Sequence, residues 1–243
     1  MKFAAQPNAG NGIGKIMKSK IAAGAGAVAI AVASLPGTAF AVDPVRESYL
    51  SLYGGLAIPQ ETDIDYDDGT ISATGTLEFD NGFRVGAAAG YNWAGPRFEI
   101  EVGYNSFEAS KLKDVSINGS ALTGSATGAI DFSLLTVFGN VLYEIATDSP
   151  FTPYVGVGLG VGFLEASPEG AARTVFGTGG DDTIFAYQGI VGGKMQLSEG
   201  TSAFVDYRYL GTSEAKMGDF SGSISTHNIN AGFMFSFSPT SSR

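Results

Sequence analysis

The single histidine of the chain, His227, follows Ser225 by two places in "STHNINAGF". Serine beside histidine is material for nucleophilic catalysis, provided a third group orients the imidazole. No acid partner is evident in the sequence. A second candidate is "DIDYDDGT", where Asp63, Asp65, Asp67 and Asp68 stand at the D-x-D-x-D spacing of a calcium loop. Such loops need glycine at the sixth position and glutamate at the twelfth. Here Gly69 arrives one place late and Thr74 takes the twelfth position, so a solvated acidic loop is expected. "GTGGDD" at 177–182 lacks the lysine of a phosphate loop and reads as a loop tip. With no cysteine in the chain, thiolate catalysis, thiolate metal sites and disulfides are excluded. No catalytic, metal or cofactor site is expected.

The most numerous chemical groups are charges at alternate positions: Arg84, Arg97, Glu99, Glu101, Glu144, Lys194, Asp206 and Arg208. Their spacing belongs to the elements that carry them. Period-2 alternation recurs in eight stretches, 48–58, 79–93, 97–107, 128–145, 151–163, 183–197, 201–212 and 225–237. Stretches of about ten residues suit tilted membrane strands. The connections alternate in length: 94–96, 146–150 and 198–200 are short, whereas 59–78, 108–127, 164–182 and 213–224 are long and polar. Outer-membrane barrels combine short periplasmic turns with long outward loops in this way.

Sorting the faces separates two populations. Phe98, Ile100, Val102 and Tyr104 oppose Arg97, Glu99, Glu101, Gly103 and Asn105. Val205, Tyr207 and Tyr209 oppose Asp206 and Arg208. A soluble barrel would put the apolar row inside and the polar row in water. The polar row, however, is mostly glycine and alanine with single charges, a poor coat in water. The apolar row ends in aromatics: Trp93, Phe98, Tyr143 and Phe237 at the short-turn end, with Phe83, Tyr104, Phe163, Tyr187 and Tyr209 at the other. Two such girdles mark bilayer interfaces. The expected fold is therefore all-β: a closed, antiparallel, eight-stranded up-and-down transmembrane barrel with its apolar row facing lipid.

That orientation places four basic and four acidic residues in the lumen. They either fill it and pair, or gate a narrow path; pairing is expected in both cases because an unpaired buried charge is costly. In "YVGVGLGVGF" (154–163), four glycines share the inward face and make room for arginine, tyrosine and glutamate from other strands.

The N-terminal region supports export. Lys15, Lys18 and Lys20 precede an apolar stretch, 21–33, and Ala39-Phe40-Ala41 suits a signal peptidase. Residues 1–41 read as a cleavable signal peptide, starting at Met1 or Met17, residues 42–237 as the barrel, and 238–243 as a short polar tail. Loss of the leader's four lysines leaves ten basic against 24 acidic residues, a net charge of −14. This balance disfavours nucleic acid as a partner.

"PYVGVGLGVGF", "VDYRYLGT" (205–212) and "HNINAGFMFSF" (227–237) resemble the small outer-membrane β-barrel proteins of Gram-negative bacteria, the opacity-type surface proteins and OmpA-like barrel domains. The resemblance implies location in the outer membrane, surrounding lipid as partner, and a structural or surface-interaction role. A narrow channel or porin is the alternative, and a lipid-modifying enzyme the third reading. It also implies a terminal-strand signal for the barrel-assembly machinery: Asn230, Gly232, Phe235 and Phe237. Six residues, Ser238 to Arg243, follow that last phenylalanine. Barrel lipid deacylases carry histidine followed two places later by serine, where this chain has Ile229. No enzyme is expected, the chain is expected to be a monomer, and the loops carry no motif that names a ligand. The folded protein is expected to run faster on SDS gels before boiling than after; identical mobilities would contradict a closed barrel.

Overall fold

The computed structural model of the chain describes residues 46–93, 95–121, 126–168, 173 and 179–237. The expected signal peptide and the 238–243 tail lie outside the described residues. In chain order the strands are β1 (Arg46–Pro59), β2 (Thr62–Asp67), β3 (Ser72–Phe79), β4 (Gly82–Trp93), β5 (Pro96–Ile117), β6 (Ser120–Ala121), β7 (Ala126–Glu144), β8 (Phe151–Pro168), β9 (Gly180–Ser198), β10 (Thr201–Thr212), β11 (Ala215–Met217), β12 (Phe220–Gly222) and β13 (Ser225–Phe237).

Eight of them form a ring. β1 pairs β4, β4 pairs β5, and the sequence continues through β7, β8, β9, β10 and β13. β13 then returns to β1, from Ser48 opposite Phe237 to Pro59 opposite Thr226. Every pairing is antiparallel, as hairpin connections require. Closure removes both sheet edges, so strands weak in β-propensity still have partners for their N–H and C=O groups.

The outer surface is apolar over the middle of each strand. Val157 is 65% exposed and Ile100 67%, values that water would penalise and hydrocarbon favours. Trp93, Phe98, Tyr143 and Phe237 project outward at the short-turn end, and Phe83, Tyr104, Phe163 and Tyr187 towards the long connections. Exposed Glu108, Asp131, Glu165 and Asp181 mark where the apolar belt stops.

The long connections differ from the expected loops. Stretch 79–93 is two strands: Phe79 ends β3, and β4 begins at Gly82. Beyond the end of β4, β3 takes over as the neighbour of β5, with Leu77 opposite Leu112 and Phe79 opposite Ala109. β2 pairs β3, β12 pairs β2, and β11 pairs β12. On the other side β5, β7, β8 and β9 run on past the apolar belt. The amide of Lys216 in β11 donates to Asp182 Oδ2 of β9 at 2.7 Å. The wall thus continues as a stranded collar, because extending an existing ladder satisfies backbone groups that a loop would leave to water. "TDIDYD" already has a strand's alternation: Asp63, Asp65 and Asp67 are exposed while Ile64 and Tyr66 are half-buried. Of "GTGGDD", Gly180 to Asp182 open β9, and 177–178 lie outside the described residues.

The glycine row of β8 has different neighbours from those expected. A Cβ at Gly156, Gly160 or Gly162 would come within 2.7–2.9 Å of Leu142, Phe138 or Leu134, side chains of adjacent β7, instead of distant arginines and tyrosines. Room for the tyrosines comes from other glycines. A Cβ at Gly86 would strike the Tyr53 ring and lie 2.7 Å from the Val102 carbonyl. At Gly189 a Cβ meets nothing within 4 Å. Gly86→Ala is expected to cost about 1–3 kcal/mol by overpacking, and Gly189→Ala to change stability by under about 0.5 kcal/mol. Urea unfolding from lipid vesicles measures both, and equal effects would contradict the packing described.

Candidate functional site: the ion-paired lumen

Alternation brings the eight expected charges to the inner face of five strands. Arg84 comes from β4, Arg97, Glu99 and Glu101 from β5, Glu144 from β7, Lys194 from β9, and Asp206 and Arg208 from β10; Tyr49 and Tyr53 of β1, Tyr154 of β8 and Asn230 of β13 join them below. Arg84 and Glu101 are each 0% exposed.

Glu101 is the centre. Its Oε1 accepts from Arg84 Nη2 at 2.7 Å and from the Tyr53 hydroxyl at 2.5 Å. Its Oε2 pairs with Arg208 Nη1 and accepts from Asn140 Nδ2 at 2.7 Å and Gln188 Nε2 at 3.1 Å. Arg208 also forks onto Asp206, with Nε to Oδ1 at 3.1 Å and Nη2 to Oδ2 at 2.9 Å, the planar match that favours arginine over lysine. Asp206 further accepts from Tyr154 at 3.2 Å and Asn230 Nδ2 at 2.9 Å.

A second cluster lies nearer the short turns. Arg97 Nη1 meets Glu144 Oε1 at 2.9 Å, and Lys194 Nζ meets the same oxygen at 2.7 Å. Glu99 accepts from Tyr49 at 2.7 Å and stands 3.5 Å from Arg97 Nη2. The Arg97 guanidinium lies between the rings of Tyr49 and Tyr154, 4.9 and 5.0 Å from their centroids, where the ring faces attract a cation. Asn140 Nδ2 donates to both Glu99 and Glu101 and so joins the clusters.

Reading the charges alone missed the partners: Tyr49, Tyr53, Tyr154 and Asn140. Tyr49 and Tyr53 alternate with outward Leu50 and Leu52, so their inward position was present in the period. Tyrosine occurs on both faces of this barrel, which hides the inner ones. The upper half of the lumen was missed too. Leu134, Phe138, Ile184, Ala186 and Leu210 are buried inward residues in an apolar cluster that continues to Leu77 and Ala166 of the collar.

The other candidates separate. His227 Nδ1 lies 2.5 Å from the Tyr207 hydroxyl, while Ser225 Oγ donates to Gln60 Oε1 at 2.8 Å. The two side chains thus bond to different partners. Asp68 Oδ1 accepts from the amides of Thr70 and Ile71 at 2.8 and 2.7 Å, capping a turn through Gly69 at φ 82°. Those backbone bonds draw the Asp68 carboxyl below the usual range. Among the described residues, no three His, Cys, Asp or Glu side chains are placed to hold a metal ion. On the collar, a hydrogen bond from Lys113 Nζ, 3.3 Å from Glu78 Oε2, lowers the Glu78 carboxyl, and Glu61 raises Lys113. In the terminal strand, Phe235 and Phe237 face outward. Asn230 and Gly232 face inward, the latter where a Cβ would lie 2.7 Å from Phe204.

The family described as "Outer membrane protein beta-barrel domain" matches residues 25–237. The chain belongs to that family. An "Outer membrane protein" of Gluconacetobacter diazotrophicus is 31% identical over 182 residues, 67% of this chain and 46% of its own. The chain therefore spans less than half the length of that relative. Among solved structures, OprG of Pseudomonas aeruginosa superposes with a TM-score of 0.53 at 17% identity, covering 80% of this chain and 98% of its own. Neisserial surface protein A gives 0.48 at 17% identity, over 77% and 97%. The fold is the eight-stranded outer-membrane barrel, and the protein resides in the cell outer membrane. A soluble barrel with inverted faces is excluded with it.

Glu101→Gln leaves Arg84 and Arg208 without their shared anion. It is expected to destabilise the folded barrel by about 3–5 kcal/mol, the cost of breaking a buried pair from one side. Adding Arg84→Leu to Glu101→Gln is expected to recover part of that loss. Urea titration in vesicles reads both, and a Glu101→Gln effect below about 1 kcal/mol would show the network to be dispensable.

Proposed function

We propose that this family member is a non-conducting outer-membrane barrel with a structural or surface-interaction role, the structural one resting on the barrel and the surface-interactive one on the collar. The observation that carries the reading is the connected layer of eight charges and three tyrosines across the bore. An eight-stranded barrel is just wide enough for side chains to fill. Buried Leu134, Phe138 and Leu210 add apolar filling to the bore.

Lipid is the partner of the apolar belt. The belt runs around all eight strands with no open edge, which supports a monomer. Asn230, Gly232, Phe235 and Phe237 serve the barrel-assembly machinery during insertion, and in the folded chain Asn230 also pairs with Asp206. A lipid-modifying activity is disfavoured by the separate partners of Ser225 and His227.

Proteoliposomes are expected to swell in isotonic arabinose no faster than protein-free vesicles. Rapid sugar entry, or a stable conductance step that Glu101→Gln alters, would favour the channel. In a deletion strain sensitised to detergent, a variant lacking 62–79 is expected to restore integrity if the role is structural and to fail if the collar must bind. Lipid A composition is expected to be the same with His227→Ala, and a change would revive the enzyme reading.

A further inference from the structure

The lumen changes character along its axis. The ion-paired side chains give way to buried apolar ones: Leu210 follows Arg208 on the inner face of β10 towards the long connections, and Leu134 follows Phe138 in the same direction along β7. Inside the collar lies an apolar pocket of about 110 Å³. Its wall includes Ile64 of β2, Leu77 of β3, Phe132 of β7, Leu164 and Ala166 of β8, and Ala215 of β11.

We propose that this pocket is a binding site for a small apolar molecule, neutral or cationic, no larger than a single aromatic ring or short alkyl chain. Size and lining set the class. A cavity of roughly 150 Å³ lined by Leu, Ile and Phe stays dry and takes benzene, so the present pocket suits a ring-sized guest or a smaller one. Its walls are built rather than fluid. β2 and β3 are laddered together, as are β7 and β8. Phe132 is held by Phe79 edge-on at 5.5 Å and by Phe107 stacked at 5.9 Å. A site on paired strands loses little conformational entropy when a guest enters.

Charge narrows the class further. The four long connections hold fourteen acidic and four basic residues. Asp63 and Asp65 flank Ile64 on the outer face of β2, and Asp181 and Asp182 follow Gly180 of the pocket wall. An anionic headgroup approaching this rim meets repulsion, whereas a neutral or cationic one does not. In the non-conducting barrel proposed above, on which this point rests, the pocket retains its guest instead of passing it across the membrane.

The test uses the whole protein in lipid nanodiscs with toluene, benzylamine or benzoate, read by saturation-transfer NMR against empty nanodiscs. Toluene and benzylamine are expected to bind saturably, and benzoate at least threefold more weakly. Ala166→Phe, which fills the pocket, is expected to weaken toluene binding at least tenfold while keeping the heat-modifiable gel shift. If Ala166→Phe does not fold, Ala215→Leu supplies the same obstruction from β11. Signals equal to those of empty nanodiscs, or binding unchanged by a folded pocket-filling variant, would overturn the site. Benzoate binding as tightly as toluene would overturn the charge selection.

Discussion

A polypeptide crossing hydrocarbon must satisfy every backbone N–H and C=O from within, since each group left unpaired costs several kcal/mol. The return of β13 to β1 meets that demand, and the rest of the structure depends on it. With no edge remaining, propensity matters little, so β8 can carry glycine at every second position and still be a strand. Eight strands also fix the bore. Each inward side chain then has to be matched by the space its neighbours leave, as Tyr53 is by Gly86.

Within that bore, polar and apolar contents occupy different depths. The charges sit where the wall is surrounded by lipid, with Arg84 and Glu101 fully buried. Glu101 answers two arginines, and each arginine is steadied by a tyrosine ring or a further carboxylate. Such an arrangement contributes little net stability compared with an apolar filling, but removing one member is expensive. Its value lies in position, because pairs contributed by β4, β5 and β10 are satisfied together only in the native register. Towards the collar the filling becomes Leu, Ile and Phe, and the requirement for register passes to packing.

The collar shows how the wall outlives the membrane. β1, β4, β10 and β13 end near the edge of the apolar belt, while β5, β7, β8 and β9 continue. The hairpins β2–β3 and β11–β12 stand in for the missing neighbours: β3 pairs β5, and β11 meets β9 through the Lys216 amide and Asp182. This makes the outward end a shaped surface with an interior, and the pocket of the collar follows from it.

Much of this was legible in the sequence because a strand's side chains alternate with a period of two. The sides on which Val157, Phe235, Arg208 and Glu101 lie followed from counting, and so did the eight-strand barrel, its outward girdles and its place in the outer membrane. Alternation alone cannot say which inward residues lie at the same depth, because strand tilt and stagger decide that. Hence Tyr49, Tyr53 and Asn140 were invisible as partners of the charges, and the apolar upper bore went unseen where both faces of β7 are greasy. The collar was hidden for a related reason: "TDIDYD" has a strand's pattern, but its acids drew the eye as a motif, and its partner strands lie far away in the chain. Local period determined the faces. Only closure in three dimensions, which sets the register between distant strands, decided the partners.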